Sequence, residues 1–246
     1  MKVLDLFCGG GGISVGYFNA GFEVVGVDVE PQRYYPFEFI QKSVFDLDLD
    51  YMKSFDLIHA SPPCQAYSFS TQWIRNKGLK QYLDLVQVTR NLLESTGKPY
   101  VIENVPGAPL RKDLVLCGDM FDLGVIRHRH FEIKGFKVQQ LKHIKHKGMV
   151  ADGSKMGVYG GNPRNARTRK RYTVASHMTG TLAQWKNAMG IFWINNKHIL
   201  AQAIPPKYSE YIGKQFLKSI PESRLEINSL LNYTEEPITL ESFNSS

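Results

Sequence analysis

The stretch SPPCQAYSFS, Ser61 to Ser70, holds a thiol on a stiff backbone, because Pro62 and Pro63 directly precede Cys64. Cysteine attacks carbon as its thiolate, and with an ordinary pKa of about 8.5 only a few per cent is ionised at neutral pH. A rigid strand-end position supplies orientation, which substitutes for a strongly lowered pKa. The bland reading of a lone cysteine is structural burial. The prolines before Cys64 and the polar run after it argue against burial. A second group is Glu103 in ENV (Glu103 to Val105), closing another strand ahead of Pro106. In a confined site its pKa rises and it donates a proton to a ring nitrogen; otherwise it is a solvated strand end. A third is RHRHF, Arg127 to Phe131, where Arg127 and Arg129 alternate and so share one strand face. Two guanidinia there suit a carbonyl, a phosphate, or simply water.

The fourth feature is the glycine turn DLFCGGGG, Asp5 to Gly12. It lets backbone approach a ligand and opens a helix whose N-terminus favours polar groups. Asp28 ends the next strand about twenty residues on, where an acid takes both hydroxyls of a ribose. Taken alone this is a nucleotide-like site of unspecified identity, or a tight strand-to-helix turn.

Positioning these groups requires strand ends on one edge. Lys2–Phe7, Glu23–Asp28, Phe55–Ser61 and Pro99–Asn104 read as apolar strands, and Ile13–Gly21 and Gln81–Ser95 as helices between them. Strands alternating with helices imply an α/β fold, an open, doubly wound, mostly parallel sheet. Thr181–Gly190 and Pro205–Ile220 read as further helices, the prolines of the second lying in its first turn. From Lys134 to Arg171 no period holds. Eleven Lys and Arg there (Lys134, Lys137, Lys142, Lys145, Lys147, Lys155, Arg164, Arg167, Arg169, Lys170, Arg171) face one acid, Asp152. This is a solvated basic loop or a phosphate-facing lobe. The expected organisation is a cofactor-binding and catalytic domain over 1–133 and 181–220, a small basic recognition lobe over 134–180, and a tail over 221–246.

At 246 residues, 43% hydrophobic and net charge +7, the chain fits one domain with a polyanionic partner. No apolar run reaches the roughly 18 residues of a membrane span, and KVLDLF at the start reads as a strand, so no signal peptide and no membrane association are expected. Cys8, Cys64 and Cys117 are an odd number with no metal-ligand spacing. They imply a reducing, cytoplasmic compartment and no metal.

The order of glycine turn, strand-end acid, PPCQ, ENV, RxR, basic lobe and QAIPPKYSEYIG resembles the DNA (cytosine-5) methyltransferase family. The match covers Lys2 to about Ile133 and about Thr181 to Lys218. The short length and LCGDMF (Leu116 to Phe121) look most like the small members carried by phages and other mobile elements. The resemblance implies a class I, Rossmann-like enzyme using S-adenosylmethionine and releasing S-adenosylhomocysteine. Phe7, Gly9, Gly11, Val29, Phe45 and Pro63 would line its pocket, with Asp28 on the ribose and Asp46 on the adenine amino group. Cys64 would add to C6 of a flipped cytosine, Glu103 would bond N3 and the exocyclic amine, and Arg129 would hold O2 with Arg127 in support. The loop from Gln65 through Ser68 to about Lys80, hinged at Gly78, would close over the base. Lys155, Arg164, Arg167, Arg169, Lys170 and Arg171 would face double-stranded DNA bound by a monomer.

Three places depart from the family pattern. Val125 stands where glutamine is usual two residues before Arg127. Ala201–Pro205 replaces the usual GN-x-V-P. QWKNAMGIFW (Gln184 to Trp193) stands in for an arginine-rich helix. The short lobe is expected to read a short or degenerate site. Other readings are a tRNA cytosine-5 methyltransferase, an inactive DNA-binding relative, and an enzyme transferring a larger group.

Overall fold

Apolar side chains alternate between the two faces of each central strand, which fixes a sheet covered on both sides. Val3, Leu57 and Val101 face one layer, and Leu4, Ile58 and Ile102 the other. In chain order the elements are β1 (Lys2–Leu6), α1 (Gly12–Asn19), β2 (Glu23–Asp28), β3 (Glu38–Gln41), α2 (Leu49–Lys53), β4 (Leu57–Ala60), α3 (Val86–Thr96), β5 (Tyr100–Asn104), β6 (Leu114–Leu116), β7 (Arg129–Lys134), α4 (Leu182–Met189), α5 (Lys197–Gln202) and α6 (Pro206–Lys218). This computed structural model describes residues 1–68, 71, 76–79, 81–143, 145–146, 148–150, 153–158 and 180–221.

The seven strands lie in the order β3-β2-β1-β4-β5-β7-β6. The first five are mutually parallel, and β7 runs antiparallel to both β5 and β6. Strand order reverses between β1 and β4, and open α/β sheets bind ligands outside the carboxyl ends at such a switch. Helices α1 and α6 cover the first face through Ile13, Tyr17, Ile212 and Phe216. Helices α2 and α3 cover the second through Met52, Val86 and Leu93. Gly16 lets α1 and α6 touch: a Cβ there would strike Ser209 Oγ and the Pro206 carbonyl. Ser209 Oγ instead donates to the Ile13 carbonyl at 2.7 Å.

The main elements lie where the sequence pattern puts them, with three differences. Helix α3 starts at Val86 rather than Gln81, and just ahead of it the Asp84 side chain turns back on the chain, its Oδ1 accepting from the Val86 N–H at 3.0 Å. Arg127 precedes β7, so it and Arg129 do not share a strand face. Strands β3 and β6 and helices α2 and α5, each of three to six residues, have no reading in the sequence. Between β7 and α4 the described residues contain no helix or strand. No helix among the described residues is long and apolar enough to cross a membrane.

Asp5, the next-to-last residue of β1, is fully buried. Ser14 Oγ donates to its Oδ2 at 2.5 Å and contacts Tyr35 Oη at 2.8 Å. Burial, against the Ser14 hydrogen bond, pushes the Asp5 carboxyl up from 3.8 to about 7. The folded chain therefore holds a proton that the unfolded chain releases, and stability present below the unfolded pKa is lost as pH rises toward the folded one. Urea denaturation of the wild type should show stability falling by up to about 1.4 kcal/mol per pH unit across that window from this group. Asp5→Asn keeps an acceptor for Ser14 and should flatten this component; an unchanged slope would refute the assignment.

Candidate active site

Parallel register brings the carboxyl ends of β1, β2, β4 and β5 to one edge, and the sequence places a chemical group at each. After β1 the chain turns through two residues with positive φ, Phe7 at 59° and Gly9 at 49°, and a third, Gly11 at 81°, precedes α1. Asp28, closing β2, takes the Gly9 N–H on Oδ2 and the Glu30 N–H on Oδ1, both at 3.0 Å. Trp193 Nε1 donates to the Gly10 carbonyl at 2.8 Å and pins the turn from the other side.

The turn is open at Gly9, where a Cβ would meet nothing within 4 Å, while Gly10, Gly11 and Gly12 pack against Ile194, Pro36 and the Ile204 carbonyl. Phe7 and Phe45 meet edge to face with centroids 6.2 Å apart. Phe45 and Val29, the residue after β2, are exposed, at 39% and 62%. Asp46 follows Phe45 in a short 3-10 turn, its side chain exposed. An aromatic pair, an exposed valine, an open glycine face and two carboxylates fit a ligand with a flat ring, a diol and an amine. S-adenosylmethionine is such a ligand.

Cys64 follows Ser61–Pro62–Pro63 beyond β4, with Pro62 buried and Pro63 exposed. Its carbonyl accepts from the Tyr67 and Ser68 N–H groups at 3.0 and 2.8 Å, closing a turn. Asn104 Nδ2 donates to the Pro62 carbonyl at 2.9 Å and ties this loop to the end of β5. Cys64 is partly buried. Burial raises its thiol pKa above the ordinary value, Glu103 adds to the rise, and Arg129 and Arg127 oppose it. The thiol, the carboxylate and both guanidinia therefore share one field.

Glu103 is 4% exposed. Arg129 Nε stands 2.8 Å from Glu103 Oε1, yet Oε1 accepts no aligned hydrogen bond. Burial raises the Glu103 carboxyl above its ordinary value, while Arg129, the Ser61 hydroxyl and Arg127 pull it down. A buried carboxyl held by one guanidinium, its burial and its charged neighbours acting in opposite directions, has the chemistry of a proton donor or acceptor. Behind it, His59 Nε2 lies 3.3 Å from Ser61 Oγ and His59 Nδ1 lies 2.9 Å from Tyr17 Oη. Burial holds His59 down to about 3, so this imidazole is neutral.

Arg127 is placed differently. It is 8% exposed, and its Nη1 and Nη2 donate to the Val158 and Ala201 carbonyls at 3.0 and 2.6 Å. Burial and then Arg129 push its guanidinium down to about 9. It clamps backbone from two other segments beside the site. Lys155, expected on the DNA face, instead pairs with Asp119 and donates to the Leu123 carbonyl at 3.0 Å, with 13% of its side chain exposed. That inward ion pair gives it a structural place in the fold rather than a phosphate contact. Gln65 is exposed and Ser68 partly so, beside Cys64. Gly78 has φ 63°. Arg164, Arg167, Arg169, Lys170 and Arg171 lie outside the described residues, as do much of the loop from 69 to 80 and the tail from 222. Ser61, Asn104 and Trp193 escaped the sequence reading. Asn104 had a signal, as the residue after Glu103 on a strand end; Trp193 had none.

The switch-point cradle on this strand order defines a Rossmann-like fold of the class I S-adenosylmethionine-dependent methyltransferase type. The family model of C-5 cytosine-specific DNA methylases matches residues 1–115. The Type II methyltransferase M.HgiGI of Herpetosiphon aurantiacus is 30% identical over 123 residues, covering 46% of this chain and 96% of that protein. M.HgiDI, a Type II methyltransferase of the same organism, is 27% identical over 201 residues, or 77% of this chain. The chain spans about half of M.HgiDI, 56% of its length. A solved prophage-encoded protein of E. coli shares the fold at a TM-score of 0.57 and 16% identity, over 89% of this chain and 99% of that one. The chain belongs to the C-5 cytosine-specific DNA methylase family.

The Glu103–Arg129 pair yields a stability test. Removing one partner of a buried pair strands the other and costs about 3–5 kcal/mol. Arg129→Ala should lose that much in urea denaturation at neutral pH, and Glu103→Gln added to it should recover most of the loss. Strictly additive effects would show that the two groups do not depend on each other.

Proposed function

We propose that the chain transfers a methyl group from S-adenosylmethionine to C5 of a cytosine flipped out of duplex DNA, through a covalent bond between Cys64 and C6. The observation that supports this most is the joining of the Cys64 turn to β5 through Asn104, which sets a thiol beside a buried carboxyl of raised pKa. The bound cofactor supplies an electrophilic methyl on a sulfonium sulfur. Phe7, Phe45 and Val29 would border its ring, Asp46 would take its amine and Asp28 its ribose, with Gly9, Gly11 and Pro63 at its edge.

Cys64 loses its proton to solvent and its sulfur adds to C6. The ring electrons move through C4 to N3, where Glu103 provides a proton or hydrogen bond, and C5 becomes enamine-like. C5 would then take the methyl that the bound cofactor supplies, and a proton lent to N3 would return to Glu103. The C5 proton then passes to solvent, the C6–sulfur bond breaks and returns the thiolate, and the C5–C6 double bond re-forms. The net exchange is a methyl for a proton. Arg129, already on Glu103, is the group proposed to hold the cytosine O2, with Arg127 fixing the surrounding backbone. Flipping costs a few kcal/mol. Gln65 and Ser68 beside the thiol, and the cluster from Arg164 to Arg171, are the groups proposed to offset it on bases and phosphates.

The test is nucleoside analysis. Duplex DNA incubated with the protein and S-adenosylmethionine should yield 5-methylcytosine by mass spectrometry, and Cys64→Ala should yield none. Product from Cys64→Ala would refute the covalent step; product on tRNA alone would refute the DNA substrate. The pH dependence is a further check. The Cys64 thiol is raised above its ordinary value, so it is largely protonated at neutral pH. The single-turnover rate should then climb with pH, by about tenfold per unit while one ionisation governs it. A flat profile from pH 6.5 to 8.5 would show that thiol ionisation does not limit the reaction.

A further inference from the structure

Outside the strand-end site, four side chains from three separate segments converge on one point. Cys117 stands just after β6, His128 just before β7, and His143 and His146 in the stretch after β7. One ligand atom from each lies within 4.8 Å of the other three. Cys117 Sγ is 3.4 Å from His146 Nε2, His146 Nε2 is 3.1 Å from His143 Nε2, and His143 Nε2 is 3.0 Å from His128 Nε2.

Hydrogen bonds alone account for this poorly. A ring nitrogen offers one in-plane direction, carrying either a proton or a lone pair. The Nε2 atoms of His143 and His146 each have two of these neighbours. Neither can serve both with a well-aligned bond. A cation among the four atoms satisfies every lone pair at once. Zinc–nitrogen bonds of about 2.0–2.1 Å and zinc–sulfur bonds of about 2.3 Å give a tetrahedron with edges of about 3.3–3.6 Å. The three observed separations lie within a few tenths of an ångström of those edges. One soft thiolate with three imidazoles is a zinc donor set.

We propose that Cys117, His128, His143 and His146 form a closed, structural zinc site. All four positions come from protein, which leaves none for water or substrate. Binding replaces the Cys117 proton with the metal and releases that proton to solvent. The site fastens the basic segment after β7 to the chain between β6 and β7. One ligand, His128, lies between Arg127 and Arg129 in sequence. The cysteine spacing that argued against a metal missed this site because three of its four ligands are histidines, and only folding joins Cys117 to them. The visible trace is the pair His143 and His146 at i,i+3.

The site is read by metal content, so it stands or falls apart from methyl transfer. Untagged full-length protein should carry one zinc per chain by elemental analysis. Loaded with cobalt(II), it should show the intense visible bands of tetrahedral coordination and a thiolate charge-transfer band. His143 is exposed, so His143→Ala should fold, as circular dichroism would verify, while binding zinc at least roughly 100-fold more weakly. Cys117→Ser should lose the charge-transfer band. His198→Ala, outside the cluster, should change nothing. An absence of zinc after exposure to zinc(II), an octahedral cobalt spectrum, or zinc affinity indifferent to His143→Ala would overturn the proposal. Should Cys117→Ser fail to fold, the wild-type cobalt spectrum and His143→Ala decide it.

Discussion

A carboxylate almost wholly withdrawn from water survives only while its cation stays in place, and the pairing of Glu103 with Arg129 sets this requirement on the rest of the molecule. Strand β7 meets it by running antiparallel to β5. In that register Glu103 lies opposite Phe131, and Arg129, two residues along, is its diagonal neighbour on the same face. A parallel β7 would carry its first residue to the far end of the sheet. The one reversal of direction in an otherwise parallel sheet thus brings an arginine to the edge where β1, β4 and β5 deliver the glycine turn, the thiol and the carboxyl.

Arg127 extends the same logic outward. Its guanidinium joins the Val158 and Ala201 carbonyls, and its own carbonyl accepts from Tyr208 Oη at 2.7 Å. Three distant parts of the chain therefore meet two residues before Arg129. Helix α6 is anchored there by Tyr208 and against α1 by Ser209, so the helices on the first face and the guanidinium in the site are parts of one packed unit. The departure Ala201–Pro205 from the family's usual pattern costs little at this point, because the contact it makes with Arg127 uses a backbone carbonyl that any residue supplies.

The strands that carry chemistry were legible because each is apolar on both faces and ends in glycine, proline or an acid, signals that survive without tertiary context. PPCQ and ENV were legible for the same reason. What was not legible depends on folding. Strand β6 has three residues, too few for a period, and is a strand only because β7 lies beside it. Arg127 and Arg129 alternate in sequence like strand neighbours, but β7 starts between them and sends one into a backbone clamp and the other onto Glu103. Lys155 reads as one more cation in a basic run, yet Asp119 and the Leu123 carbonyl draw it inward. Charge counted along a chain does not say which charges face water.

The stretch after β7 carries no regular structure among its described residues, yet it is tied down repeatedly, to α6 through Tyr211 on the Gln139 carbonyl and Phe216 on Phe136, and several times over to one connection. Met156 N–H donates to the Gly124 carbonyl at 2.7 Å, Lys155 reaches Leu123 and Asp119, and Val158 receives Arg127. Gln140 exchanges two hydrogen bonds with the Val115 backbone at 2.8 Å. His143 and His146 join Cys117 and His128. Apart from those on α6, every one of these partners lies between Val115 and His128, the connection that leads directly into Arg129. The described residues of this segment form no helix or strand of their own, so this connection and α6 hold them in place. The coupling is mutual. Whatever shifts the basic segment pulls on the residues leading into Arg129, and Arg129 can hold Glu103 steady only as long as that connection is itself held.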